Sequence, residues 1–91
     1  MSVFVSSPDF DFVIEYRFDS KDAVMEHYNY AMTRGALMHF HARGDDGSDP
    51  FTIVVNFARV VSVKVAEADT FIDDQLRVRA TLGGAGPGDA D

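Results

Sequence analysis

Phe10-Asp11-Phe12-Val13-Ile14-Glu15-Tyr16-Arg17-Phe18 alternates large apolar side chains with mostly polar ones. In an extended chain Phe10, Phe12, Ile14, Tyr16 and Phe18 fall on one side, and Asp11, Val13, Glu15 and Arg17 on the other. A period of two predicts a strand buried on one face. The period then changes. Asp19-Ser20 offers an N-cap, and Asp22 adds negative charge to a first turn. From Lys21 to Arg34, Val24, Met25, Tyr28, Ala31 and Met32 make one apolar stripe, with Asp22, Glu26, Asn29 and Thr33 opposite. Gly35 stands where a left-handed residue ends a helix. A strand leading into a helix of about four turns is the nucleus of the fold.

Downstream, alternation returns. Ala36, Met38, Phe40 and Ala42 take one side of a second strand, and Leu37, His39, His41 and Arg43 the other. Gly44 to Pro50 is dense in turn formers and reads as a hairpin loop. Phe51 to Asn56 then sets Phe51, Ile53 and Val55 inward and Thr52, Val54 and Asn56 outward. After a turn near Phe57-Ala58-Arg59, Val61, Val63 and Val65 are expected inside and Val60, Ser62 and Lys64 outside.

The order β-α-β-β-β predicts an α+β domain with one helix packed on a four-stranded mixed sheet. The helix would serve as a crossover that sets the first two strands parallel. A C-terminal appendage follows. Residues 70–75 suit a short helix or turn, and Leu76, Val78, Ala80 and Leu82 alternate with Arg77, Arg79 and Thr81 as a strand does. Residues 1–82 are read as a single domain and the Gly-rich 83–91 as a flexible tail.

Composition narrows the function classes. Among 91 residues, 46% hydrophobic, eight Phe supply apolar material for one small core. The absence of Cys excludes disulfides, thiolate nucleophiles and Cys-ligated metals. Apolar runs such as Ile53-Val54-Val55 are far shorter than the ~18 residues of a membrane span, and Met1 to Val5 lacks the marks of a signal peptide. A cytoplasmic protein is the expectation. Fifteen acids against eight bases give a net charge of −7, and no three basic residues are neighbours along the chain. Direct nucleic-acid binding is disfavoured, since phosphate tracking needs clustered Lys and Arg.

Catalysis is not expected either. The serines lack a nucleophile elbow, and the glycines near the C-terminus lack the strand and helix that flank a phosphate loop. Asp45, Asp46 and Asp49 do not repeat as a calcium loop requires. His39 and His41 share one side of a strand, and with Glu15 could form a two-His, one-carboxylate metal set. The bland alternative is a pair of solvated imidazoles, and no cofactor is predicted.

One helix covers one side of a sheet. The other side then shows Val13, Leu37, Val54 and Val60, covered by the chain's own ends (Val3, Phe4, Val5, Phe71, Ile72, Leu76, Val78) or by another molecule. The expected function is therefore a non-catalytic protein-interaction or self-assembling module. It would use that face or an edge strand, with Arg17, His39, His41 and Lys64 as polar rim. Two alternatives stand beside it: an acidic inhibitor, mimicking nucleic acid, of a basic protein, and a His-based metal- or ligand-binding protein.

Overall fold

A computed structural model describes residues 1–42, 50–70 and 75–82 of the chain. In chain order the elements are β1 (Ser2–Ser7), β2 (Phe10–Tyr16), α1 (Lys21–Arg34), β3 (Leu37–Ala42), β4 (Phe51–Asn56), β5 (Lys64–Ala68) and β6 (Leu76–Ala80). The fold is α+β. Among the described residues it has one helix, a four-stranded mixed sheet ordered β5-β1-β2-β6, and a two-stranded sheet, β3-β4.

The expected class and the four-stranded mixed sheet are present, but its strands are partly different ones. β1 lies inside the sheet, antiparallel to β2 (Val5 opposite Ile14) and to β5 (Val5 opposite Val65). Val3, Phe4 and Val5 are all buried, so this strand is covered on both faces. A strand covered on both faces reads as a continuous apolar run without alternation, which is why its start resembled a covering segment. The parallel neighbour of β2 is β6, with Ile14 opposite Val78 and Glu15 opposite Arg79. The strand expected next after the helix does not pair with β2; it joins β4 in the separate ribbon.

α1 and the β3–β4 ribbon cover the same face of the four-stranded sheet, α1 towards β5 and β3 towards β6. From α1 come Val24, Tyr28 and Ala31; from the ribbon come Met38, Phe40, Ala42 and Val55. They meet Val3, Val5, Phe12, Ile14, Tyr16, Val78 and Ala80 in one core. Inside it the Tyr16 and Tyr28 hydroxyls hydrogen-bond at 2.7 Å, which satisfies two polar groups that burial would otherwise penalise.

Three expectations about single residues are corrected. β2 ends at Tyr16, so Phe18 lies beyond the pleat and is 85% exposed. Phe51, the first residue of β4 and opposite Ala42, is exposed, not inside. Val60 to Val63 is not a strand. The Val61 N–H donates to Asp9 Oδ2 at 2.8 Å and the Ser62 carbonyl accepts from Ser7 Oγ at 2.7 Å. These bonds tie the segment to the β1–β2 turn and break the alternation: Val60 packs on the core and Val61 is 83% exposed, both against expectation, while Val63 packs on the core as expected.

The helix ends follow the sequence. Ser20 Oγ accepts from the Ala23 N–H at 3.1 Å, and Gly35 adopts φ 62° with its N–H directed to the carbonyls of Ala31 and Met32. A Cβ at Gly35 would lie 3.0 Å from Ala58 Cβ. Gly35→Ala is therefore expected to cost about 1–3 kcal/mol, from the left-handed backbone and the contact together. Urea unfolding checks it: Ala58→Gly in the same chain should recover the contact part only, leaving a residual loss of at least ~1 kcal/mol.

The proposed tail, 83–91, lies outside the described residues, as do residues 43–49 of the hairpin loop and the covering residues Phe71 and Ile72.

Candidate functional site

Two surfaces gather chemistry-bearing side chains. The first is the outer face of the β3–β4 ribbon. Because Met38, Phe40 and Ala42 turn inward, the pleat sends Leu37, His39 and His41 outward. Antiparallel register sets His39 opposite Val54, His41 opposite Thr52 and Leu37 opposite Asn56. Leu37 is 59% exposed and Val54 56%. His41 Nδ1 and Thr52 Oγ1 hydrogen-bond at 3.1 Å across the ribbon.

Along β4 runs a groove of about 390 Å³ floored by Phe10, Phe12, Ile53 and Val60 and edged by Asp9, Asp11, Asn56 and Arg59. Among the described residues β4 pairs only with β3, which leaves its other edge without a strand neighbour there.

The residues expected to share one interaction face are thus divided. Leu37, His39, His41 and Val54 come together, and Val60 joins Val54 at the groove. Val13 belongs to the four-stranded sheet and is only 2% exposed, so it is unavailable to a partner. Lys64 starts β5 on an edge of that sheet, and Arg17 follows the end of β2. The single face fails as a unit because β3 and β4 leave the main sheet, which the alternation of each strand alone does not reveal.

The second surface has no counterpart in the linear pattern. Parallel pairing sets Glu15 opposite Arg79 and Val13 opposite Arg77, and Arg17 lies just beyond β2. Three guanidinium groups thereby surround one buried carboxylate. Glu15 Oε2 accepts from Ser2 Oγ at 2.8 Å and lies 3.5 Å from Arg17 Nε. Glu15 Oε1 is 3.8 Å from Arg79 Nε and 3.9 Å from Arg77 Nη1, and among the described residues it has no hydrogen-bond donor. The Arg77 guanidinium also lies over the Phe4 ring, 5.7 Å from its centroid.

Beside this cluster is a concavity of about 340 Å³ lined by Glu15, Arg17, Phe18, His41, Arg79, Ala80 and Thr81. The Leu82 N–H donates to Asp19 Oδ2 at 3.0 Å, which fixes the end of β6 against the turn after β2. The usable signal in the sequence is Arg77-x-Arg79 on one side of an alternating segment. Its partner in β2 is some sixty residues away and carries no local mark of the pairing.

Glu15 does not complete a metal set with His39 and His41. Its carboxylate is enclosed by cations, which oppose a further positive charge. Among the described residues no three His, Asp or Glu side chains gather as a metal group. His27 lies apart on α1, its ring 5.5 Å from that of Tyr28, and burial pulls its imidazole below the usual pKa. Among the described residues no helix is long and apolar enough to cross a membrane.

Comparisons with protein-family models, with curated proteins and with solved structures find no match for this chain.

Proposed function

We propose that this protein is a non-catalytic self-association module that pairs with a second copy of itself along β4. The observation that carries the reading is the edge of Phe51–Asn56, unpaired among the described residues: four consecutive β-branched residues, Thr52 to Val55, with no charge anywhere in the strand. Unpaired edges of this composition template strand addition, and proteins that remain single blunt them with Lys, Pro or a bulge. Two antiparallel copies of β4 meet about a two-fold axis and join two ribbons into one four-stranded sheet.

The groove beside the strand supports a second copy over an unrelated partner. Its lining combines apolar side chains with both signs of charge, Asp9 and Asp11 against Arg59, as a self-complementary surface requires. Leu37 and Val54 extend the apolar surface outward, with His39 and His41 beside them.

Solution mass tests this directly. Light scattering after gel filtration at ~100 μM should give twice the chain mass, since interfaces of standard size hold at this concentration. Val54→Lys places like charges near the axis and should return a monomer with an unchanged far-ultraviolet spectrum, because Val54 is not a core residue. A strict monomer of the natural sequence at that concentration removes the proposal. So does a Val54→Lys protein that stays dimeric.

A further inference from the structure

We infer that the concavity beside Glu15 is a binding site for a small organic dianion, a phosphate monoester or a dicarboxylate. Arg17 and Arg79 line it beside the single carboxylate of Glu15, on a chain whose net charge is −7. Arg17 Nε donates to Glu15 Oε2 at 3.5 Å and Arg79 Nε lies 3.8 Å from Oε1, so Glu15 engages the inner nitrogens of these two guanidinium groups. Among the described residues, the terminal nitrogens of Arg17 and Arg79 make no hydrogen bond, and both side chains line the opening.

Glu15 itself supplies an independent indication. Its carboxylate is buried, yet among the described residues Oε1 has no donor. Such a buried acceptor costs free energy unless a strong local positive field compensates it. The guanidinium groups beside it provide that field, and Arg17 and Arg79 carry it into the concavity. Guanidinium forks match the oxygen geometry of phosphate and carboxylate. A phosphate monoester carries close to two negative charges near neutral pH.

The remaining lining selects for more than charge. Phe18 presents an exposed ring at one wall, His41 a second aromatic plane, and Thr81 a hydroxyl. A volume of about 340 Å³ is at the small end of ligand pockets. It admits one charged head and a compact apolar or aromatic body, not a polymer. The site shares no lining residue with the β4 groove.

The test is an amide and Arg Nε nuclear magnetic resonance titration of the full chain at low salt, with phenyl phosphate, inorganic phosphate and succinate as separate probes. Saturable shifts at Arg17, Arg79 and Thr81 are expected, with phenyl phosphate tighter than inorganic phosphate if Phe18 stacks on the ring. Preference for succinate over both phosphates assigns a dicarboxylate. Arg79→Gln should weaken binding roughly tenfold or more, the loss of one charged hydrogen bond. Arg59→Gln, on the β4 groove, should leave it unchanged. If Arg79→Gln disturbs the amide spectrum as a whole, Arg17→Gln, outside any strand, carries the same expectation. Linear, unsaturated shifts with all three probes overturn the site, as does equal weakening by Arg59→Gln and Arg79→Gln.

Discussion

Phe57→Ala lowers the free energy of unfolding by about 3–5 kcal/mol, the range for removing a buried aromatic ring. Phe57 follows β4 outside any strand, yet it is 1% exposed. Its ring meets those of Tyr28 at 5.5 Å and Phe10 at 6.4 Å, and its N–H donates to the Ala36 carbonyl at 2.8 Å. It therefore joins the ribbon, the helix and β2 at one point. A chain of this length has roughly 5–14 kcal/mol of stability in total, so the loss is a large fraction of it. Urea unfolding at 25 °C measures the change, with Arg59→Ala as the neighbouring exposed control, expected within about 0.5 kcal/mol of the natural protein. A Phe57→Ala loss below ~1 kcal/mol would mean that the ring is not the joint between these three elements.

Phe57 also marks where the sequence stopped being legible. Elements whose signal is local were readable: the alternation of β2, β3 and β4, the Ser20 cap, the stripe of α1 except Met25, which is exposed, and its end at Gly35. A large apolar residue among turn residues gives no periodic signal, and Phe57 was readable only as part of a turn. Pairing was less legible still. Alternation fixes which side chains share a face of one strand, but says nothing about which strand lies beside it. β1 was hidden because a strand buried on both faces loses its alternation.

The candidate sites divide along the same line. Leu37, His39, His41 and Val54 were legible because one hairpin brings them together, and hairpin register follows from neighbouring strands. The arginine cluster was not. Along the chain the bases are scattered, and the reading that no three are neighbours is correct for the sequence. The parallel pairing of β2 with β6 assembles Arg17, Arg77 and Arg79 around Glu15, a contact between the two ends of the domain. An acidic protein thereby acquires a local positive field that its net charge conceals.

The second large effect is expected in alkali. Burial raises the Tyr16 phenol to about 12; its hydrogen bond to Tyr28 pulls it back in part, and the Asp19 charge pushes it further up. Burial likewise raises Tyr28 well above 10, with Tyr16 adding to the rise. An unfolded chain releases these protons near ~10, so between that value and the folded pKa the native state binds more protons than the unfolded state. Stability is thus fully present below pH ~10 and falls as pH rises through the window up to about 12 for Tyr16, by up to ~1.4 kcal/mol per pH unit for each phenol.

Replacing both tyrosines by Phe removes both phenols and should flatten this part of the profile. Replacing one strands the other hydroxyl in the core at about 1–3 kcal/mol, so the double variant should cost less than the two single losses added together. Urea midpoints from pH 8 to 11.5 for the natural protein, Tyr16→Phe, Tyr28→Phe and the double variant measure both effects. Parallel alkaline slopes in the natural and double-Phe proteins, or additive single losses at pH 8, would mean that the two hydroxyls do not act as one buried pair.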